Sequence, residues 1–214
     1  MINEIYLSWR KGVSASRHLV GLLKREQGKI SFRYINNNLP AAQAEGFRWY
    51  PEFPDIMKTY TENVIEILSI RLIPNDRADR AEFLRFWEAD DADLSAFEIL
   101  ALTQGKLPTD NFEFLGNFYF KKNFTFVTDV ARLSYTQPSS SELFVGDQLT
   151  YQYDDTNTFD SDAVRVLKGR TEIGHIKKVH NFFFRHANGK KIDLTIKAIG
   201  KNGVVKNIYL LVKT

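Results

Sequence analysis

The chain has 214 residues, 43% of them hydrophobic and 26% charged, with 29 Lys and Arg against 26 Asp and Glu and no Cys. That balance is ordinary for a globular chain long enough to bury a sizeable core. It excludes a disulfide framework, and no apolar run approaches the roughly 20 residues of a membrane span. Because the first residues after Met1 lack a basic segment followed by an apolar one, a cytoplasmic protein with no membrane partner is expected.

In chain order, Glu4–Trp9, His18–Lys24 and Lys29–Ile35 alternate as short strands, and Gln27-Gly28 reads as a hairpin turn. This opening resembles the first subdomain of HipA-type toxin kinases in its strand pattern, although no glycine-rich nucleotide loop or kinase core follows. Residues 36–61, punctuated by Pro40, Pro51 and Pro54, predict a loop. Three short helices are then predicted: one from Thr61 with the stripe Val64, Ile65, Leu68 and Leu72, one capped by Asn75 or Asp76, and one over Leu94–Thr103 stopped by Gly105. Thr109–Leu115 returns as a strand. Trp9, Trp49 and Trp87 are read as core or interface residues. The sequence thus divides into an N-terminal α+β domain, 1–118, with a small sheet and three short helices, and a C-terminal domain, 119–214.

The C-terminal part carries the positive charge. Lys plus Arg less Asp plus Glu is −3 over residues 1–118 and +6 over 119–214, and residues 163–214 hold only two acids, Glu172 and Asp193. Such asymmetry suits a polyanion on one face, although taken alone it more often marks a solvated Lys-rich surface. Strands are predicted over Phe124–Leu133, around Leu149, Tyr151 and Tyr153, over Ala163–Val166, from Gly174 onward, and over Ile192–Ile199 and Val204–Val212, the last two joined at Asn202-Gly203. Residues 179–186 are predicted as a short helix that turns Phe182 and Phe183 inward.

The stretch 146–178 organises this half. It contains Gly146-Asp147, then Asn157-Thr158-Phe159-Asp160-Ser161-Asp162-Ala163-Val164-Arg165-Val166, then Gly174-His175-Ile176. In that order these elements resemble the HIRAN domain, a small β-barrel module found at the front of some DNA-repair helicases and alone in bacterial proteins. The family usually has Pro and Tyr where this chain has Thr158 and Phe159. The resemblance implies an OB-like β-barrel with a short helix over 119–214 and binding of single-stranded DNA at a free 3′ end, in repair, replication or defence. It further implies that Phe159 stacks on the terminal base, that Asp160 accepts a hydrogen bond from the 3′-hydroxyl, and that His175, Lys177 and Lys178 face phosphates. Arg132, with Tyr135 further along, stands where the family places an Arg-aromatic pair. Asp160 can equally be an acid that bonds the backbone of its own turn, and Phe159 can be a buried turn anchor.

Other chemistry has weaker support. The four His lack zinc-ligand spacing, and there is no phosphate loop, dinucleotide fingerprint or nucleophile elbow, so neither catalytic residues nor a cofactor are assigned and an enzyme is not expected. Asp154, Asp155, Asp160 and Asp162 suggest either a Mg²⁺ nuclease cluster or a turn rich in Asp. Alternatives to DNA binding are an interaction protein of a toxin–antitoxin system, with a protein partner on residues 1–118, and a metal-dependent nuclease.

Overall fold

A computed structural model describes residues 2–12, 15–158 and 160–214. The chain forms two compact units, residues 1–117 and 118–214, and the fold class is α+β.

In the N-terminal unit β1 (Glu4–Trp9), β2 (His18–Glu26), β3 (Lys29–Tyr34) and β4 (Phe112–Gly116) form an antiparallel sheet in the order β3-β2-β1-β4. Gln27 and Gly28 both take positive φ, as a two-residue turn between twisted strands requires. The segment expected as loop contains α1 (Leu39–Ala44), which tolerates Pro40 because it sits in the first turn, where an N–H has no helical partner. Short helices α2 (Val64–Ile67), α3 (Arg80–Phe86) and α4 (Ala96–Thr103) follow. Helix α4 opens on a capping box between Ser95 and Glu98. Their apolar faces and the sheet enclose an aromatic core in which Phe32 stacks on Phe53 at 4.5 Å and Tyr50 meets Phe114 edge-on. Arg71 enters this core, donating to the Tyr50 hydroxyl at 2.9 Å and pairing with Asp110. Trp87 is buried as expected, but Trp49 is 45% exposed and belongs to the surface.

The C-terminal unit contains β5 (Thr125–Asp129), α5 (Leu133–Thr136), β6 (Gln148–Tyr153), β7 (Val164–Lys168), β8 (Thr171–His175), α6 (Asn181–Arg185), β9 (Asp193–Asn202) and β10 (Val204–Lys213). One antiparallel sheet runs β5-β10-β9-β6-β7-β8. It curls far enough that Ala131, just past β5, pairs with His175 at the end of β8 through hydrogen bonds of 2.8 and 3.0 Å. The two edges of the sheet meet there. Gly174 makes the meeting possible: its φ is +147°, and a Cβ on it would lie 2.4 Å from Val130 Cγ1 and 2.5 Å from the Ala131 carbonyl oxygen. It ends β8 rather than starting it. Inside the curl Val164, Val166, Ile208, Leu210 and Val212 are buried by period-2 alternation. Helix α6 adds Phe183 and Phe184, both fully buried, whereas Phe182 is half-exposed and stacks on His186 at 3.7 Å. No helix among the described residues is long and apolar enough to cross a membrane.

Candidate nucleic-acid interface

Where the edges of the curled sheet meet, a shallow cleft of about 260 Å³ is lined by Arg132, Tyr135, Thr136, Asp154, Arg165, Glu172 and His175. The first three come from one tight turn after β5. Arg132 takes φ +65°, and its carbonyl accepts from Tyr135 N at 2.9 Å and Thr136 N at 3.2 Å. That single turn lays the Arg132 guanidinium 5.0 Å from the Tyr135 ring centroid. Tyr135 is 80% exposed, an unusual position for a large aromatic, and it lines the cleft. An Arg-aromatic pair is therefore present, with the aromatic three residues on instead of adjacent.

His175 closes the opposite side. It is 7% exposed, and its Nε2 lies 3.3 Å from Asp154 Oδ2. Asp154 also accepts from Asn157 Nδ2 at 3.1 Å and Thr156 Oγ1 at 3.1 Å, and Arg165 Nε stands 3.9 Å away. These partners, Asn157 foremost, hold the Asp154 carboxyl down at about 2, so it is ionised and His175 Nε2–H is the donor between them. The sequence singled out Asp154 only as one member of an acidic turn. In the structure it ties that turn to β7 and β8.

The turn itself is built by side chains bonding backbone. Asp160 N donates to Asn157 Oδ1 at 3.0 Å, Asp160 Oδ1 accepts from Asp162 N at 3.2 Å, and Asp160 Oδ2 accepts from Asn181 Nδ2 at 2.9 Å. Asp160 thus takes the role of a turn acid, with Asn181 of α6 as an added anchor. Each of its oxygens retains a second lone pair. Arg185, which sequence reasoning passed over, clamps the same turn: it donates to Asp155 Oδ1 at 2.9 Å and to the carbonyls of Ser161 and Ala163 at 3.1 and 3.2 Å, with its guanidinium 4.4 Å from the Tyr153 ring centroid. Phe159, expected to stack on a base, lies outside the described residues. Asp155 and Asp162 are exposed, and among the described residues no three His, Asp or Glu side chains converge as a metal cluster.

The two lysines separate. Lys178 is exposed and available to a phosphate. Lys177 is a correction to the sequence reading: it is fully buried, with Nζ paired to Asp129 at the end of β5, so it braces the barrel and does not face solvent. The chain leaves β8 at His175 and turns here, with Asn181 N donating to the Lys177 carbonyl at 3.0 Å, so Lys177 points inward to Asp129 while Lys178 stays on the surface. The structure thus brings Arg132 and His175 into one cleft and adds Tyr135, Asp154, Arg165 and Glu172.

No family model matches the sequence, and no curated protein matches it. Among solved structures the chain is similar to the HIRAN domain of human HLTF, at 20% identity over 41% of this chain and 72% of that one, with a TM-score of 0.34. It is also similar to a protein from Lactobacillus plantarum, at 15% identity over 42% of this chain and 91% of that one, with a TM-score of 0.37.

Proposed function

We propose that the C-terminal unit is a single-stranded DNA-binding module that holds a free 3′-hydroxyl end, and that it binds without catalysing a reaction. The observation that carries this reading is the convergence, in one cleft, of the Arg132–Tyr135 pair with His175 and Asp154, to which Asn157 ties the turn that carries Asp160; these lie far apart in sequence, and Arg132, Asn157, Asp160 and His175 are among the residues by which 119–214 resembles HIRAN domains. Tyr135 supplies a face for a base, and stacking on such a face contributes about 1–3 kcal/mol with little regard to base type. Arg132 and Lys178 supply charge for phosphates, which fixes the strand's position without reading sequence. Asp160 suits the terminus: a carboxylate accepts from a hydroxyl and repels a phosphate.

The test is fluorescence anisotropy with one short labelled oligonucleotide bearing a 3′-hydroxyl or a 3′-phosphate, alongside a closed circle of the same sequence. The 3′-hydroxyl strand is expected to bind tightest, and Asp160→Ala to narrow its advantage over the 3′-phosphate. Equal binding of all three would refute end recognition, and no binding of any would refute the module.

A further inference from the structure

The cleft assigned to a polyanion also contains two carboxylates, and they differ in what occupies them. Asp154 is engaged by Asn157, Thr156 and His175. Glu172 is not: its ion-pair contact is His175 Nδ1 at 3.6 Å, beyond hydrogen-bond reach. Its side chain is 36% exposed and lines the cleft. Across from it, His175 Nδ1 and Arg165 Nε are buried without a hydrogen-bond partner.

Glu172 reaches the cleft through an irregularity of β8. Residues three apart on a regular strand face opposite sides of a sheet, so Glu172 and His175 would not share a surface. The β7–β8 register shifts between Val166 and Leu167, which pair with Gly174 and Glu172, leaving Ile173 as the extra residue. A bulge of this kind re-aims the side chains beside it. The Ile173 carbonyl accepts from Thr136 Oγ1 at 2.9 Å, from the same turn that presents Arg132 and Tyr135.

A carboxylate placed here repels phosphate, so it serves the base. Bases of a single strand that stack on an aromatic ring keep their Watson–Crick edges free for hydrogen bonds. Guanine presents N1–H and an N2 amino hydrogen side by side, matching the two oxygens of a carboxylate. Adenine and cytosine present one amino group beside a ring acceptor, and thymine presents a single N–H between two carbonyls. We propose that Glu172 makes the cleft base-selective, favouring a guanine stacked on Tyr135 and disfavouring thymine. This rests on the reading of the cleft as a single-strand site and adds to it the identity of the base.

The test uses 3′-hydroxyl oligonucleotides identical except for the terminal residue, dG, dA, dC, dT or deoxyinosine, titrated against the full chain and its Glu172→Gln variant. Glutamine has the same shape, and its amide NH₂ faces the guanine donors, so the fold is kept while the match is lost; circular dichroism checks the former. The expected result is dG tighter than dT by about tenfold or more, a bidentate contact's usual discrimination. Deoxyinosine, which lacks the N2 amino group, falls between them, and the spread collapses to within about twofold in Glu172→Gln. Five equal affinities in the wild type overturn the base selection while leaving the single-strand reading intact. A dG preference that persists in Glu172→Gln overturns the assignment to Glu172, and failure of every strand to bind overturns both.

Discussion

Gly174→Ala is the substitution for which the structure gives the clearest magnitude. The added methyl would meet Val130 Cγ1 at 2.4 Å and the Ala131 carbonyl oxygen at 2.5 Å, where carbon atoms rest at about 3.5–4 Å. The second neighbour is backbone and cannot rotate away. Relief requires the edges of the sheet to part, which removes the two Ala131–His175 hydrogen bonds, about 0.5–1.5 kcal/mol each. The φ of +147° adds about 1–3 kcal/mol for a residue with a side chain. The sum is about 2–6 kcal/mol, and at about 4–8 °C per kcal/mol for a unit of this size the melting temperature should fall by at least about 8 °C. Thermal unfolding followed by circular dichroism measures it, with Gly169→Ala as control. Gly169 also has positive φ, at +59°, but a Cβ there meets nothing within 4 Å, so only the backbone cost applies, about 1–2 kcal/mol. If the two variants melt together, closure of the sheet at Gly174 is wrong.

Three further predictions concern the same unit. Asp129→Ala leaves the Lys177 ammonium fully buried without its carboxylate and should destabilise the protein by about 3–5 kcal/mol in a urea titration, whereas Asp129→Leu with Lys177→Met should recover most of the loss. Asp154 has its folded pKa lowered to about 2, so its contribution to stability is present above the unfolded carboxylate range and is lost as pH falls from about 4 toward 2; the gap in urea midpoint between wild type and Asp154→Asn should close over that window. Tyr135→Ala removes an 80% exposed ring, so it should weaken oligonucleotide binding by about tenfold while leaving the melting temperature within about 2 °C.

Much of the architecture is legible in the sequence because it rests on local rules. Alternation marks β9 and β10, and Asn202-Gly203 marks their turn, with Gly203 at φ +71°. Helix α1 is hidden because Pro40 reads as a breaker unless it is known to sit in a first turn. The site was legible in part: Arg132 and His175 line the cleft, and the Asx-rich turn is where its composition put it. What escaped depends on register or on partners far along the chain. Lys177 looks like any surface lysine until Asp129 is set beside it, and Glu172 reaches the cleft only because of a bulge that no local pattern announces. Tyr135 needed the positive φ of Arg132 to bring its ring under the guanidinium, a conformation that the residue type does not signal.

The most direct measurement of the central claim is the salt dependence of single-strand binding by the wild type and by Arg132→Ala. If the cleft holds the strand's backbone, the dissociation constant of a 3′-hydroxyl oligonucleotide rises by one or more orders of magnitude between about 50 and 200 mM salt. Arg132→Ala then weakens binding and lowers the slope of log affinity against log salt by about 0.7, one phosphate contact on a single strand. An affinity indifferent to salt, or a slope and affinity unchanged in Arg132→Ala, would contradict the assignment of this cleft to nucleic acid.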